Sequence, residues 1–186
     1  MRHPFLAQVA EGLAERRIAT LRFNFPAMER GLKRPDRPAL AQATARQAAA
    51  TARRTMPDLP LVAGGKSFGG RMTSEAQATE AMPSVRGLVF LGFPLHPAGH
   101  PSADRGRHLF SVHVPMLFVQ GTRDALAEPG LLADLIRRLG PNALLSSVEN
   151  ADHSFRVPAR SGKTGAQIMA ALLDAIAGWI AAICSV

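Results

Sequence analysis

The stretch Val62-Ala-Gly-Gly-Lys-Ser-Phe-Gly-Gly-Arg-Met72 admits two chemistries. Gly65-Lys66-Ser67 is the tail of a phosphate-binding loop, whose backbone amides would wrap an anion. Gly65-Lys66-Ser67-Phe68-Gly69 is also a G-x-S-x-G, whose turn would present a serine oxygen for attack. A phosphate loop needs a further glycine five residues before Gly65, and that position is Pro60. Leu61 and Val62 read as strand where such a loop would have to encircle its ligand. The serine turn needs a strand ending in small residues, glycines on both sides of the serine and a helix directly after it, and the sequence supplies each part. In that reading the N–H of Phe68 faces the negative oxygen that develops when Ser67 attacks a carbonyl.

Outward from this turn, apolar spacing predicts alternating elements. Residues 4 to 16 read as a helix opened by Pro4, with Phe5, Leu6, Val9 and Leu13 on one face. Ile18 to Phe25 reads as a strand by period-two alternation, and 27 to 37 as a loop. Residues 38 to 55 are an Ala-rich surface helix with Leu40 as its only large anchor. Leu59 to Ala63 is a short strand feeding the glycines, Phe68 to Met82 a helix, and Val85 to Leu95 the most apolar strand, hence central. Residues 96 to 113 are irregular, 115 to 120 a strand, 129 to 139 a helix and 143 to 148 the last strand. From Thr164 to Ile183 apolar residues recur at helical spacing, so an amphipathic helix packs back on the sheet.

At least five strands alternating with helices predict one domain over residues 1–186, a three-layer α/β/α sandwich with a mainly parallel sheet. Ligand sites in such sheets lie beyond the carboxyl ends of the strands. Ser67, Asp124 and His153 each follow a predicted strand, which brings them to one edge. They also come in the chain order Ser, Asp, His that a serine nucleophile, its orienting carboxylate and its base take in α/β sheets of this kind. Singly, Ser67 would read as a helix cap, Asp124 as a turn residue and His153 as a solvated histidine. Asp152 is too close to His153 in sequence to orient it, and Asp104 lies on the irregular segment.

Four stretches, Gly64-Gly-Lys-Ser-Phe-Gly-Gly-Arg-Met72, Leu91-Gly-Phe-Pro-Leu-His-Pro97, Gln120-Gly-Thr-Arg-Asp124 and Ala151-Asp-His-Ser-Phe155, together resemble the α/β-hydrolase superfamily. More narrowly, the chain is similar to the small dienelactone-hydrolase-like branch related to the hydrolase domain of the NSL-complex subunit. The resemblance implies Ser67 as nucleophile, Asp124 as orienter and His153 as base. Members carry a further N-terminal strand and a Gly-rich loop before the helix that begins here at His3-Pro4, and that loop gives a second oxyanion amide. The fold expected is therefore an α/β-hydrolase fold lacking its N-terminal strands, either as a truncated reading of a longer protein or as a sheet that has lost a strand.

Composition narrows the rest. The formal charge of +8 comes almost wholly from scattered arginines, and the chain has no Tyr and one Trp with which to stack on bases, so no nucleic-acid partner is expected. The lone Cys184 excludes an internal disulfide and fits a cytoplasmic setting. No stretch reads as a signal peptide or as the roughly 18 apolar residues of a membrane helix, so no membrane is expected either. His96, His100, His108 and His113 crowd one segment, yet Pro97 and Pro101 break the helical spacing that would converge the first two, so neither metal nor cofactor is predicted. His96 and His108 are expected to bound the pocket, while Lys66 and Arg71 read equally well as attracting an anionic substrate or as a solvated lysine and an arginine paired on the helix surface. The methionines read as core filler.

The function these features predict is serine hydrolysis of an ester or related acyl bond in a small substrate, with a shallow pocket and no lid. A non-catalytic interaction module is the alternative, because the oxyanion loop is missing. The sheet edge left exposed invites a homodimer.

Overall fold

The computed structural model describes residues 3–185. Four strands, β1 (Leu61–Lys66), β2 (Val85–Leu91), β3 (Met116–Gly121) and β4 (Ala143–Val148), form one sheet in the order β1-β2-β3-β4, and every neighbouring pair is parallel. The helices are α1 (Pro4–Glu15), α2 (Pro26–Glu29), α3 (Pro38–Thr55), α4 (Phe68–Thr79), α5 (Pro129–Leu139) and α6 (Gly165–Cys184). Proline opens α1, α2, α3 and α5, where its missing N–H costs nothing and its fixed φ suits the first turn. Thr164 and Gln167 form a reciprocal cap at the start of α6.

Because β2 and β3 are buried on both sides, alternate residues serve two cores. Leu88, Phe90, Met116 and Phe118 join Leu132 and Leu135 of α5 on one face. There the rings of Phe90 and Phe118 lie 4.7 Å apart, with Phe93 at 5.2 and 5.7 Å from them. Val89, Leu91, Leu117 and Val119 face the other way, onto Val9 and Leu13 of α1 and Ile168, Leu172 and Ile176 of α6. α6 is long and apolar enough by length and composition to cross a membrane, contrary to the reading that no stretch qualifies. Its apolar face covers the sheet, and Asp174 within it pairs with Arg16 of α1 at 2.6 Å.

Two expectations are corrected. Ile18–Phe25 is not a strand, and the sheet has four strands where at least five were predicted. Alternation prepares a segment for pairing, but a strand exists only with a partner, and no described strand lies along residues 18–25. Ala19 to Arg22 are exposed, and the segment is anchored instead by Phe23 and Phe25, which pack with Met72, Ala41 and Phe68. β1 consequently forms one edge of the sheet.

The second correction concerns α3. Leu40 is 45% exposed, and the helix docks through Ala41, Ala45 and Ala49, one per turn, which lets its backbone lie close to the layer beneath. Met28 and Met56 are likewise exposed rather than core filler, whereas Met72, Met82 and Met116 are buried. An Ala45→Leu variant should overpack this contact at a cost of about 1–3 kcal/mol. In thermal unfolding that lowers Tm by roughly 2–4 °C per kcal/mol, while Leu40→Ala leaves Tm nearly unchanged.

Candidate active site

β1 runs straight into Ser67, which turns the chain into α4 at φ 51° and ψ −120°. That backbone region costs a non-glycine residue on the order of 1–3 kcal/mol, so the surroundings must enforce it. They do so by hydrogen bonds on both sides: Ser67 N–H donates to the Leu91 carbonyl, and Arg71 N–H donates to the Ser67 carbonyl, each at 3.1 Å. They also do so by close approach. A Cβ on Gly70 would lie 2.7 Å from the Gly65 carbonyl oxygen, whereas one on Gly69 would meet only the Phe25 ring edge at 3.6 Å. The G-x-S-x-G pattern points to Gly69 as the second essential glycine; the tight contact belongs to Gly70.

Ser67 does not cap α4; its Oγ lies 2.9 Å from His153 Nε2. The other imidazole nitrogen, Nδ1, lies 2.7 Å from Asp124 Oδ2. A neutral ring satisfies both contacts with its proton on Nδ1, donated to the carboxylate, leaving Nε2 to accept from the serine hydroxyl. Asp124 follows β3 and its side chain is fully buried. The cost of burying that carboxylate is met by donors: Oδ2 also accepts from Gln120 Nε2 at 2.6 Å, and Oδ1 from Leu126 N–H at 2.8 Å. Gly92, at φ +71°, sits where a Cβ would come within 3.4 Å of the His153 ring, so the imidazole lies directly over the end of β2.

The loop that carries His153 is shaped by its neighbour. Asp152 Oδ1 accepts from the N–H groups of Ser154 and Arg156 at 2.8 and 2.9 Å, so this carboxylate builds the turn. Asp104 lies on a 3-10 helix (Asp104–Ser111), exposed and paired with Arg107. The Phe68 N–H, the expected oxyanion donor, precedes the first helical hydrogen bond of α4.

The remaining predicted residues have partners of their own. Lys66 Nζ donates to the His153 carbonyl at 2.6 Å, and burial pulls its pKa below the ordinary lysine value, against the raising effect of Asp124 and Asp152. Arg71 pairs with Glu75 one turn on, at 2.6 Å. His96 is buried: Nδ1 donates to the Pro97 carbonyl at 2.9 Å and Nε2 accepts from Glu128 N–H at 2.8 Å, which braces the loop holding Asp124. His108 lies against Ser74 of α4 at 2.7 Å, and burial holds its pKa below the usual histidine value. Among the described residues no three His, Cys, Asp or Glu side chains gather to hold a metal ion.

The His153 side chain is 26% exposed. A groove of about 930 Å³ runs between α1 and α6, with Phe5 and Phe155 in its wall and Ser67 not among its lining residues.

The sequence matches the alpha/beta hydrolase domain family over residues 1–181. The chain belongs to that family. Solved structures share its fold. A dienelactone hydrolase from Anabaena variabilis superposes with a TM-score of 0.75 at 18% identity, over 98% of this chain and 81% of that one. An alpha-beta serine hydrolase homologue from Coxiella burnetii gives 0.74 at 16% identity, over 97% and 77%. A lidless serine hydrolase from Xanthomonas campestris gives 0.68 at 23% identity, over 98% and 72%. As an alpha/beta hydrolase, the chain holds the serine, histidine and aspartate where the ends of β1, β4 and β3 meet.

Gln120 was invisible as a site residue. Its only signal is a lone polar side chain closing the apolar run Met116-Leu-Phe-Val119, and in the fold its amide oxygen accepts from Phe93 N–H at 2.8 Å while its amide nitrogen serves Asp124. Gln120→Leu should leave both partners wanting inside the core, at about 1–3 kcal/mol, read as a lowered denaturant midpoint with an unchanged m-value.

Proposed function

We propose that this alpha/beta hydrolase is a serine esterase. The observation that carries the reading is the unbroken line of hydrogen bonds from Ser67 Oγ through both ring nitrogens of His153 to Asp124, at 2.9 and 2.7 Å. In the first half-reaction His153 Nε2 takes the hydroxyl proton as Ser67 Oγ bonds to the ester carbonyl carbon, and Phe68 N–H donates to the resulting oxyanion. Collapse breaks the bond to the alkoxy group, which leaves as an alcohol with the proton from Nε2. Water then adds to the acyl carbon with Nε2 again as base, the bond to Oγ breaks, and a carboxylic acid and free Ser67 result. Asp124 holds the ring and its Nδ1 proton throughout. Phe23, Phe25 and Phe68 beside the turn give an apolar wall for the acyl group, and the open rim suits small esters.

Covalent labelling by a fluorophosphonate probe should occur in the native protein and vanish in Ser67→Ala, and equal labelling of the two would overturn the assignment. Asp124→Asn should lower kcat for a short-chain p-nitrophenyl ester by about 10³-fold or more, because an amide cannot hold the same tautomer, with the fold retained by circular dichroism.

A further inference from the structure

Three residues far apart in the chain meet beside the base, and the hydrolytic steps use none of them. Phe5 of α1 and Phe155 stack face to face, with centroids 5.5 Å apart and planes 8° from parallel. Lys66 Nζ lies 5.0 Å from the Phe5 centroid and 5.1 Å from that of Phe155 while it donates to the His153 carbonyl at 2.6 Å. Phe155 is buried at φ 60°, a conformation a bulky side chain holds only when its surroundings impose it. The loop that carries the histidine therefore has one end in an unfavourable backbone state, held locally by the Asp152 turn and packed on its outer side by this cluster.

We infer that Lys66 is a positioning residue for the general base: its ammonium, seated against Phe5 and Phe155, pins the His153 main chain so that the imidazole stays aligned between Ser67 and Asp124. This rests on the esterase reading of the site. An ammonium has three donors; one is given to the His153 carbonyl and two ring faces crowd the same charge, which suits a brace better than a substrate contact. The charged and titratable groups facing it are Asp124 from the end of β3 and Asp152 and His153 from the loop after β4, while α1 brings the uncharged Phe5. Burial opposes the cation more than those carboxylates favour it, so its pKa falls. The sign follows: the brace is complete below that lowered value and is lost as pH rises through it, at a pH where a solvated lysine would still be charged.

The test compares the native protein with Lys66→Met, which keeps the length and removes the charge, Lys66→Arg, which keeps a charge that does not titrate, and Phe5→Leu. Hydrogen exchange by mass spectrometry reads the 149–157 loop directly, with thermal unfolding to verify that each variant folds. For p-nitrophenyl acetate, Lys66→Met should lose about 10- to 100-fold in kcat with KM within about twofold, since misalignment acts on the reacting state. The same variant should exchange faster in the loop alone. Lys66→Arg should recover most of kcat and lack the alkaline fall expected of the native protein, and Phe5→Leu should show a smaller rise in loop exchange. Native exchange and native kcat in Lys66→Met would overturn the proposal, as would a raised KM with kcat untouched, which would make Lys66 a substrate contact. If the native protein resists the fluorophosphonate, the esterase reading fails, and loop exchange in Lys66→Met still judges the brace.

Discussion

The approach of Gly70 to the carbonyl of Gly65 is the constraint on which the rim depends. Strand β1 can hand the chain to α4 within one residue only if backbone passes backbone without an intervening Cβ, and that residue, Ser67, is then forced to positive φ. A serine in such a turn has its hydroxyl lifted off the sheet and cannot relax into an ordinary cap. The strain is borne by the hydrogen bonds to Leu91 and Arg71 and by the packing of Phe25 against the first turn of the helix. The geometry of Ser67 is thus a property of two strands and a helix.

The placement of His153 and Asp124 depends on register. With all four strands parallel, the carboxyl ends of β1, β3 and β4 fall on one edge, and β2 between β1 and β3 fixes the spacing. Gly92 closes β2 without a side chain, which gives the imidazole its seat. Asp124 has a fully buried side chain, and its hydrogen-bond partners are the neutral donors of Gln120 and Leu126 together with the histidine, which sustain its charge. An apolar substitute at Gln120 would fill the same space and fail the carboxylate.

Much of this was legible because it is written locally. The bounds of α3, α5 and β4 follow from proline starts, a Gly-Pro stop and short apolar runs, and the positions of Ser67, Asp124 and His153 follow from strand ends and chain order. What could not be read depends on distant contacts. Ile18–Phe25 has the alternation of a strand but no partner, and pairing is a property of two segments. Leu40 is the only large apolar residue of α3, yet a stripe of alanines docks more closely than one leucine could, which only the neighbouring layer reveals. Lys66 sits beside Ser67 in sequence, which suggests substrate, but its ammonium turns toward a loop 87 residues away. Gln120 shows only as a lone polar side chain at the end of an apolar run, and Phe155 carries no local mark of the contact it makes.

The consecutive order of the strands has a consequence for how the molecule is assembled. Crossovers of one hand place the connecting helices α4 and α5 on a single side of the sheet, so the opposite side is roofed by α1 and α6, which precede and follow all four strands. Gly12 of α1 sits so near Leu173 of α6 that an added methyl would strike its side chain, and Arg16 with Asp174 latches the pair. During synthesis, Val89, Leu91, Leu117 and Val119 must wait uncovered until residues 165–184 clear the ribosome. Until then this face of β2 and β3 lacks its α6 cover, and apolar surface exposed in that way during folding is what chaperones bind.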